Sequence, residues 1–95
     1  MTDRTVMAEI DAALRGPTAL PRDNGELVFE EPWQGRALGL GVAVIDRYGI
    51  PRAEFRDHLA AAIASRQPRS GESIATAYYA CWLDAVDAVL EGRTA

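Results

Sequence analysis

Apolar residues in this chain recur mostly at helical spacing. Val6, Ile10 and Leu14 fall every four residues with Met7 and Ala13 beside them, which predicts an amphipathic helix over residues 2–14. Thr2 or Asp3 is placed to cap its start, and Gly16-Pro17 to end it. Residues 17–31 carry two prolines and Asp23-Asn24-Gly25, with Leu27-Val28-Phe29 as their apolar patch. They predict an extended, turn-rich arm that takes its shape from what it packs on. A second helix is expected from Pro32, a residue suited to the first helical position, to Tyr48-Gly49. Trp33, Ala37, Leu40, Gly41, Val44 and Tyr48 share one of its faces, while Leu38, Val42 and Ile45 occupy others. A helix apolar on most sides is central to a fold or lies in an interface. Gly35 and Gly39, four apart, suggest close approach of another helix. A third helix is predicted over residues 51–66, with Phe55, Leu59, Ala62 and Ile63 inward. A fourth follows Ser70 or Ser73 as cap and runs to Glu91, with Gly92 as its stop.

No stretch alternates with period two long enough to predict a strand. The expected fold is all-α: a small helical domain of three main helices plus an N-terminal helix and an extended arm. One domain accounts for residues 1–95, with the N-terminal helix in 1–16, the arm in 17–31 and the helical core in 32–92.

Composition removes several function classes. Fourteen acidic residues against ten basic ones give a net charge of −4. That balance argues against non-specific nucleic-acid binding and against adhesion to anionic membrane. The longest apolar run, residues 37–45, is far short of the roughly 20 residues of a spanning helix. Met1-Thr2-Asp3-Arg4 leads into no apolar segment of a secretory signal, so a cytoplasmic protein is expected. All ten cations are arginine, so any functional cation here is a planar, permanently charged fork.

Candidate chemistry is sparse. His58 is the single histidine, four residues after Glu54, and reads as a solvated side chain with a carboxylate neighbour. Cys81, between Ala80 and Trp82 on an apolar helix, reads as a buried, inert thiol. With one histidine and one cysteine, no metal site is expected in this chain. Glu30-Glu31 precede the second helix, where the helix dipole favours negative charge. Asp84, Asp87 and Glu91 form an acidic stripe, either a solvated face or a surface for an arginine-rich partner. No nucleophile triad, phosphate loop or dinucleotide fingerprint is present.

Arg36 stands out because it lies in the second turn of an apolar helix, where the dipole mildly disfavours positive charge. Leu40, Ala43 and Arg47 follow it along one face. It either snorkels to water or reaches a partner's anion. Trp33, Trp82, Tyr78 and Tyr79 are many aromatics for so short a chain. Tyr78 and Tyr79 are about 100° apart on a helix and cannot both point the same way: either the aromatics simply pack in the core, or one tyrosine fills it while the other faces a partner.

Two strings resemble a known family. Leu20-Pro21-Arg22-Asp23 is followed by Phe29-Glu30-Glu31-Pro32-Trp33-Gln34-Gly35-Arg36-Ala37-Leu38. The likeness continues through Arg47-Tyr48-Gly49, Phe55-Arg56 and Ile63, and closes on Tyr78-Tyr79-Ala80-Cys81-Trp82-Leu83. Together they resemble the nitrile hydratase β-subunit N-terminal domain and its relative, the nitrile hydratase accessory (activator) protein, over residues 20–91. The resemblance implies a helical chain that binds the metal-carrying α subunit, whose Cys-x-x-Cys-Ser-Cys claw holds cobalt or iron. This chain has no such claw, so no cofactor of its own and no activity alone are expected. In family β subunits, an arginine of the Trp-Glu-Gly-Arg stretch bonds the oxidised cysteines of the α subunit, and Arg36 occupies that position. The resemblance thus assigns Arg36 a catalytic role in trans, and adds Trp33, Leu40, Arg47, Tyr78, Tyr79 and Trp82 as partner-binding residues.

Two departures bear on the role. A full β subunit continues into a β-barrel that this sequence lacks, and the family's glutamates near the closing Trp motif are replaced here. The first reading is an accessory protein in metal loading. The second is a small permanent β-type subunit of a nitrile-hydrating enzyme, with a separate β-barrel subunit. The third is a helical interaction domain unrelated to hydratases.

Overall fold

A computed structural model describes residues 2–67 and 69–94, with the side chains of these other than 2–4, 92 and 94. The chain is all-α, with four α-helices among the described residues and one very short hairpin. Helix α1 spans Thr2–Ala13. The cap expected at Thr2 or Asp3 lies outside the described side chains. A 3-10 turn at Gly16–Thr18 follows, where Gly16 takes a left-handed φ of 57°.

The arm is not wholly extended. Strands β1 (Arg22–Asp23) and β2 (Glu26–Leu27) pair antiparallel, Arg22 opposite Leu27 and Asp23 opposite Glu26. Asn24 and Gly25 both have positive φ, 53° and 82°, as a tight two-residue hairpin turn requires. Arg22 ties the hairpin down: its guanidinium donates to the Gly25 carbonyl at 2.9 Å and to Asp11 of α1 at 2.7 Å. The arm's anchor is Leu20, which is buried, rather than Phe29, which remains 43% exposed while its ring lies 5.6 Å from that of Tyr79.

Helix α2 (Pro32–Tyr48) begins at Pro32 as expected and ends at Gly49, whose φ of 60° only glycine adopts without strain. The Ile50 N–H then reaches back to the Ile45 carbonyl at 3.0 Å, and both isoleucines are fully buried. This is a Schellman-type stop reinforced by an apolar contact. Helix α3 spans Arg52–Ser65. Helix α4 spans Ile74–Thr94 and runs through Gly92, so that glycine does not end the helix. Of the two candidate caps, Ser73 serves α4: its Oγ accepts the Thr76 N–H at 3.1 Å.

Helix α4 is the central element and packs on α2 and α3, while α1 lies across α2 and α3. Its Tyr79, Trp82, Val86 and Val89 are buried with Ile10 of α1, Ile45 of α2, and Phe55 and Leu59 of α3. The Phe55 ring stands edge-on to Trp82 at 4.8 Å. Such a pair adds about 1 kcal/mol beyond the area it buries. No helix among the described residues is long and apolar enough to cross a membrane.

Candidate functional site

The rigid seating of α2 begins with Gln34, which is fully buried. Its Oε1 accepts the Glu30 N–H at 2.7 Å and its Nε2 donates to Thr76 Oγ1 at 3.0 Å. One amide therefore joins the arm, α2 and α4. Glu30, which precedes α2 as expected, also accepts the hydroxyl proton of Ser73, the cap of α4.

Trp82 fixes the other side of α2. Its indole Nε1–H donates to the Ala37 carbonyl at 2.8 Å. A Cβ at Gly41 would stand 2.3 Å from that nitrogen, so Gly41 is the residue that lets α4 approach α2. The close approach expected at Gly35 and Gly39 is not there. A Cβ at either would meet nothing within 4 Å. The two glycines instead open a surface furrow of about 310 Å³, lined by Met7, Gly35, Leu38, Gly39, Val42 and Ala43. Gly39→Ala should therefore stabilise the chain by up to about 1 kcal/mol through helix propensity alone. A rise in Tm on thermal melting checks this, and a fall would mean that position 39 is packed.

The sequence-predicted site residues divide into two groups. Arg36 and Arg47 are exposed, Leu40 is 49% exposed, and Trp33 is half-buried against the core. The Arg47 guanidinium lies 5.8 Å from the centroid of the exposed Tyr48 ring. Arg36 makes no hydrogen bond or ion pair with any described residue, whereas Arg22, Arg52, Arg56, Arg66 and Arg93 are each paired to a carboxylate. The second group is buried. Tyr78, Tyr79 and Trp82 all lie in the core, so of the two readings of the tyrosines it is core packing that holds, and neither faces outward. In this conformation the three hold α4 in place and offer no surface. The Tyr78 hydroxyl donates to the Thr18 carbonyl at 2.7 Å, while the buried Tyr79 hydroxyl bonds to no described residue.

The remaining candidates behave structurally. Glu54, expected as the neighbour of His58, accepts two bonds from Arg93 at 2.9 and 3.0 Å, and that guanidinium holds its carboxyl below the ordinary carboxylate range. Cys81 is free and buried, and burial pushes its thiol up, which suppresses the thiolate. It backs a shallow apolar pocket of about 280 Å³ between Pro17, α3 and the start of α4. Asp84, Asp87 and Glu91 are exposed and form no ion pair among the described residues. No group of three or more His, Cys, Asp or Glu among the described residues is placed to hold a metal ion.

Sequence reasoning missed the furrow beside Arg36, although its signal, two glycines one helical turn apart on a mostly apolar helix, was visible. What the arrangement provides is a stiff helix whose outer face carries unpaired guanidinium groups, an exposed leucine and a shallow apolar channel. Compared with family models, curated proteins and solved structures, the chain matches none.

Proposed function

We propose that this chain is a non-catalytic partner of the metal-binding α subunit of a nitrile-hydratase-type enzyme, acting in the cytoplasm as an accessory in metal loading and maturation. The observation that carries the reading is Arg36: an exposed guanidinium, unpaired among the described residues, on a helix held by Gln34 and Trp82. It lies within the string that resembles the accessory family. A planar fork suits the paired oxygens of oxidised cysteine ligands, and charge-assisted bonds of this kind are about twice as strong as neutral ones. The metal, cobalt or iron, belongs to the partner, and this chain's residues position and neutralise rather than ligate.

Co-expression with a Cys-x-x-Cys-Ser-Cys α subunit tests the reading. Arg36→Ala should leave the helical circular dichroism unchanged and lower the partner's metal content or activity several-fold. Arg36→Lys should also be impaired, because a point charge does not replace a bidentate fork. A partner loaded equally well by wild type, Arg36→Ala and no chain at all would defeat the proposal. A partner that loads normally but loses turnover when the chain is stripped away would favour the permanent-subunit reading, with Arg36 in the assembled active site.

A further inference from the structure

Arg36, Leu40, Ala43 and Arg47 are all exposed, and they lie along one line of α2. At 100° per residue the four fall within about 60° of arc, with the two arginines about 16 Å apart along the axis. The Gly35/Gly39 furrow runs beside this line. Neither arginine has a carboxylate partner among the described residues, although the chain carries fourteen acidic residues against ten basic ones. The face is thus positive at both ends, apolar in the middle and open alongside.

We propose that this face of α2 docks a partner helix bearing two carboxylates about three turns apart, with apolar side chains between them. The apolar side chains enter the furrow against Leu40, and the carboxylates meet Arg36 and Arg47. Charge decides the occupant. A second copy laid antiparallel on the same face would set Arg36 against Arg47, and a parallel copy would set each arginine against itself, so like charges oppose self-pairing in both directions. An acidic amphipathic helix satisfies both guanidinium groups and covers the leucine, the helix-in-groove mode of recognition. The proposal goes beyond the reading above and does not rest on it: the surface rests on the exposure and charge of α2, and the docked helix gives Arg36 a carboxylate rather than the oxygens of an oxidised cysteine.

The test uses the full chain and a fluorescently labelled synthetic amphipathic peptide. Two glutamates in the peptide repeat the spacing of Arg36 and Arg47 and bracket a leucine and an alanine. Fluorescence polarisation should show saturable binding that weakens as salt is added. Replacing both peptide glutamates by glutamine should weaken it about tenfold, the scale expected for two partly solvated ion pairs. Arg36→Gln combined with Arg47→Gln in the chain should do the same. Gly39→Leu, which fills the furrow, should abolish binding while leaving helical content unchanged. Equal binding of the glutamate and glutamine peptides, or no binding at millimolar peptide, would overturn the proposal. So would sedimentation showing a dimer that loses its interface in the Gly39→Leu variant. If the peptide binds as expected but Arg36→Ala leaves α-subunit loading untouched, the docking face stands and the hydratase reading falls.

Discussion

Gly41→Ala should cost the fold about 2–4 kcal/mol, even though alanine is the better helix former by about 1 kcal/mol. For a domain of this length that is a fall in Tm of roughly 10–25 °C. The added methyl would stand 2.3 Å from Trp82 Nε1 and 2.6 Å from two further indole carbons. Trp82 is fully buried and bonded to the Ala37 carbonyl, so it has no open direction in which to withdraw. Moving it breaks that bond, leaves an indole N–H unpaired in the core and disturbs its contact with Phe55. The contrast with Gly39→Ala is the sharpest form of the test: the same chemical change, two residues along the same helix, should move stability in opposite directions. A second control uses Trp82→Phe, whose smaller ring vacates the space above position 41. That variant is itself destabilised. In its background, however, Gly41→Ala should cost much less than in the wild type, a coupling readable from a double-mutant cycle in urea. Strictly additive costs would mean that the indole and position 41 do not meet.

The helices were legible because their signals are local. The four-residue recurrence of Val6, Ile10 and Leu14 marks α1, and Pro32 and Gly49 bracket α2. The strands were not, because two residues are too few to alternate. The readable signal there was Asn24-Gly25, whose paired positive φ values make a hairpin on their own. Helical periodicity says which residues share a face but not which neighbour that face receives. That is why the close approach of α4 fell on Gly41 rather than on Gly35 and Gly39. Tyr78 and Tyr79 are both buried for a related reason. Helix α4 is enclosed by α2, α3, the arm and the 3-10 turn, so side chains 100° apart find cover on different neighbours. In the sequence, Tyr78, Cys81, Trp82, Ala85, Val86 and Val89 already cover most of the circumference of this helix. On α2, the line from Arg36 to Arg47 follows from spacing, but the exposure of its Leu40 does not, and the chemistry that line serves is written in its partner's residues.

Those two adjacent tyrosines should give opposite results when their hydroxyls are removed. Tyr78→Phe should cost about 1–2 kcal/mol at neutral pH, because it breaks a buried bond and leaves the Thr18 carbonyl without that donor. The loss loosens the 3-10 turn from α4. Tyr79→Phe should be neutral or stabilise by up to about 1 kcal/mol, since it deletes a buried hydroxyl that has no partner among the described residues. Alkaline pH separates them from ordinary packing effects. Burial pushes the Tyr79 phenol up to about 12, with Arg22 partly opposing it, and burial likewise pushes up Tyr78. In the unfolded chain a tyrosine loses its proton near pH 10. The folded state therefore keeps protons that the unfolded state releases. The stability so conferred is complete below about pH 10 and is lost as pH rises through the folded values. For Tyr79 alone the loss amounts to about 2 kcal/mol by pH 12, and Tyr78 adds to it. Set against a total of about 5–15 kcal/mol for a domain of this kind, that is enough to bring on base unfolding in this range. Circular dichroism followed together with tyrosinate absorbance should show helix loss and ionisation of the buried phenols in one cooperative step. Tyr79→Phe should shift that step to higher pH, and Tyr78→Phe, though weakened at neutral pH, should lose stability less steeply with pH than the wild type because its phenol no longer titrates. Tyrosinate from all three tyrosines appearing while the helices remain intact would show that the Tyr78–Tyr79 pair is not sealed in the core.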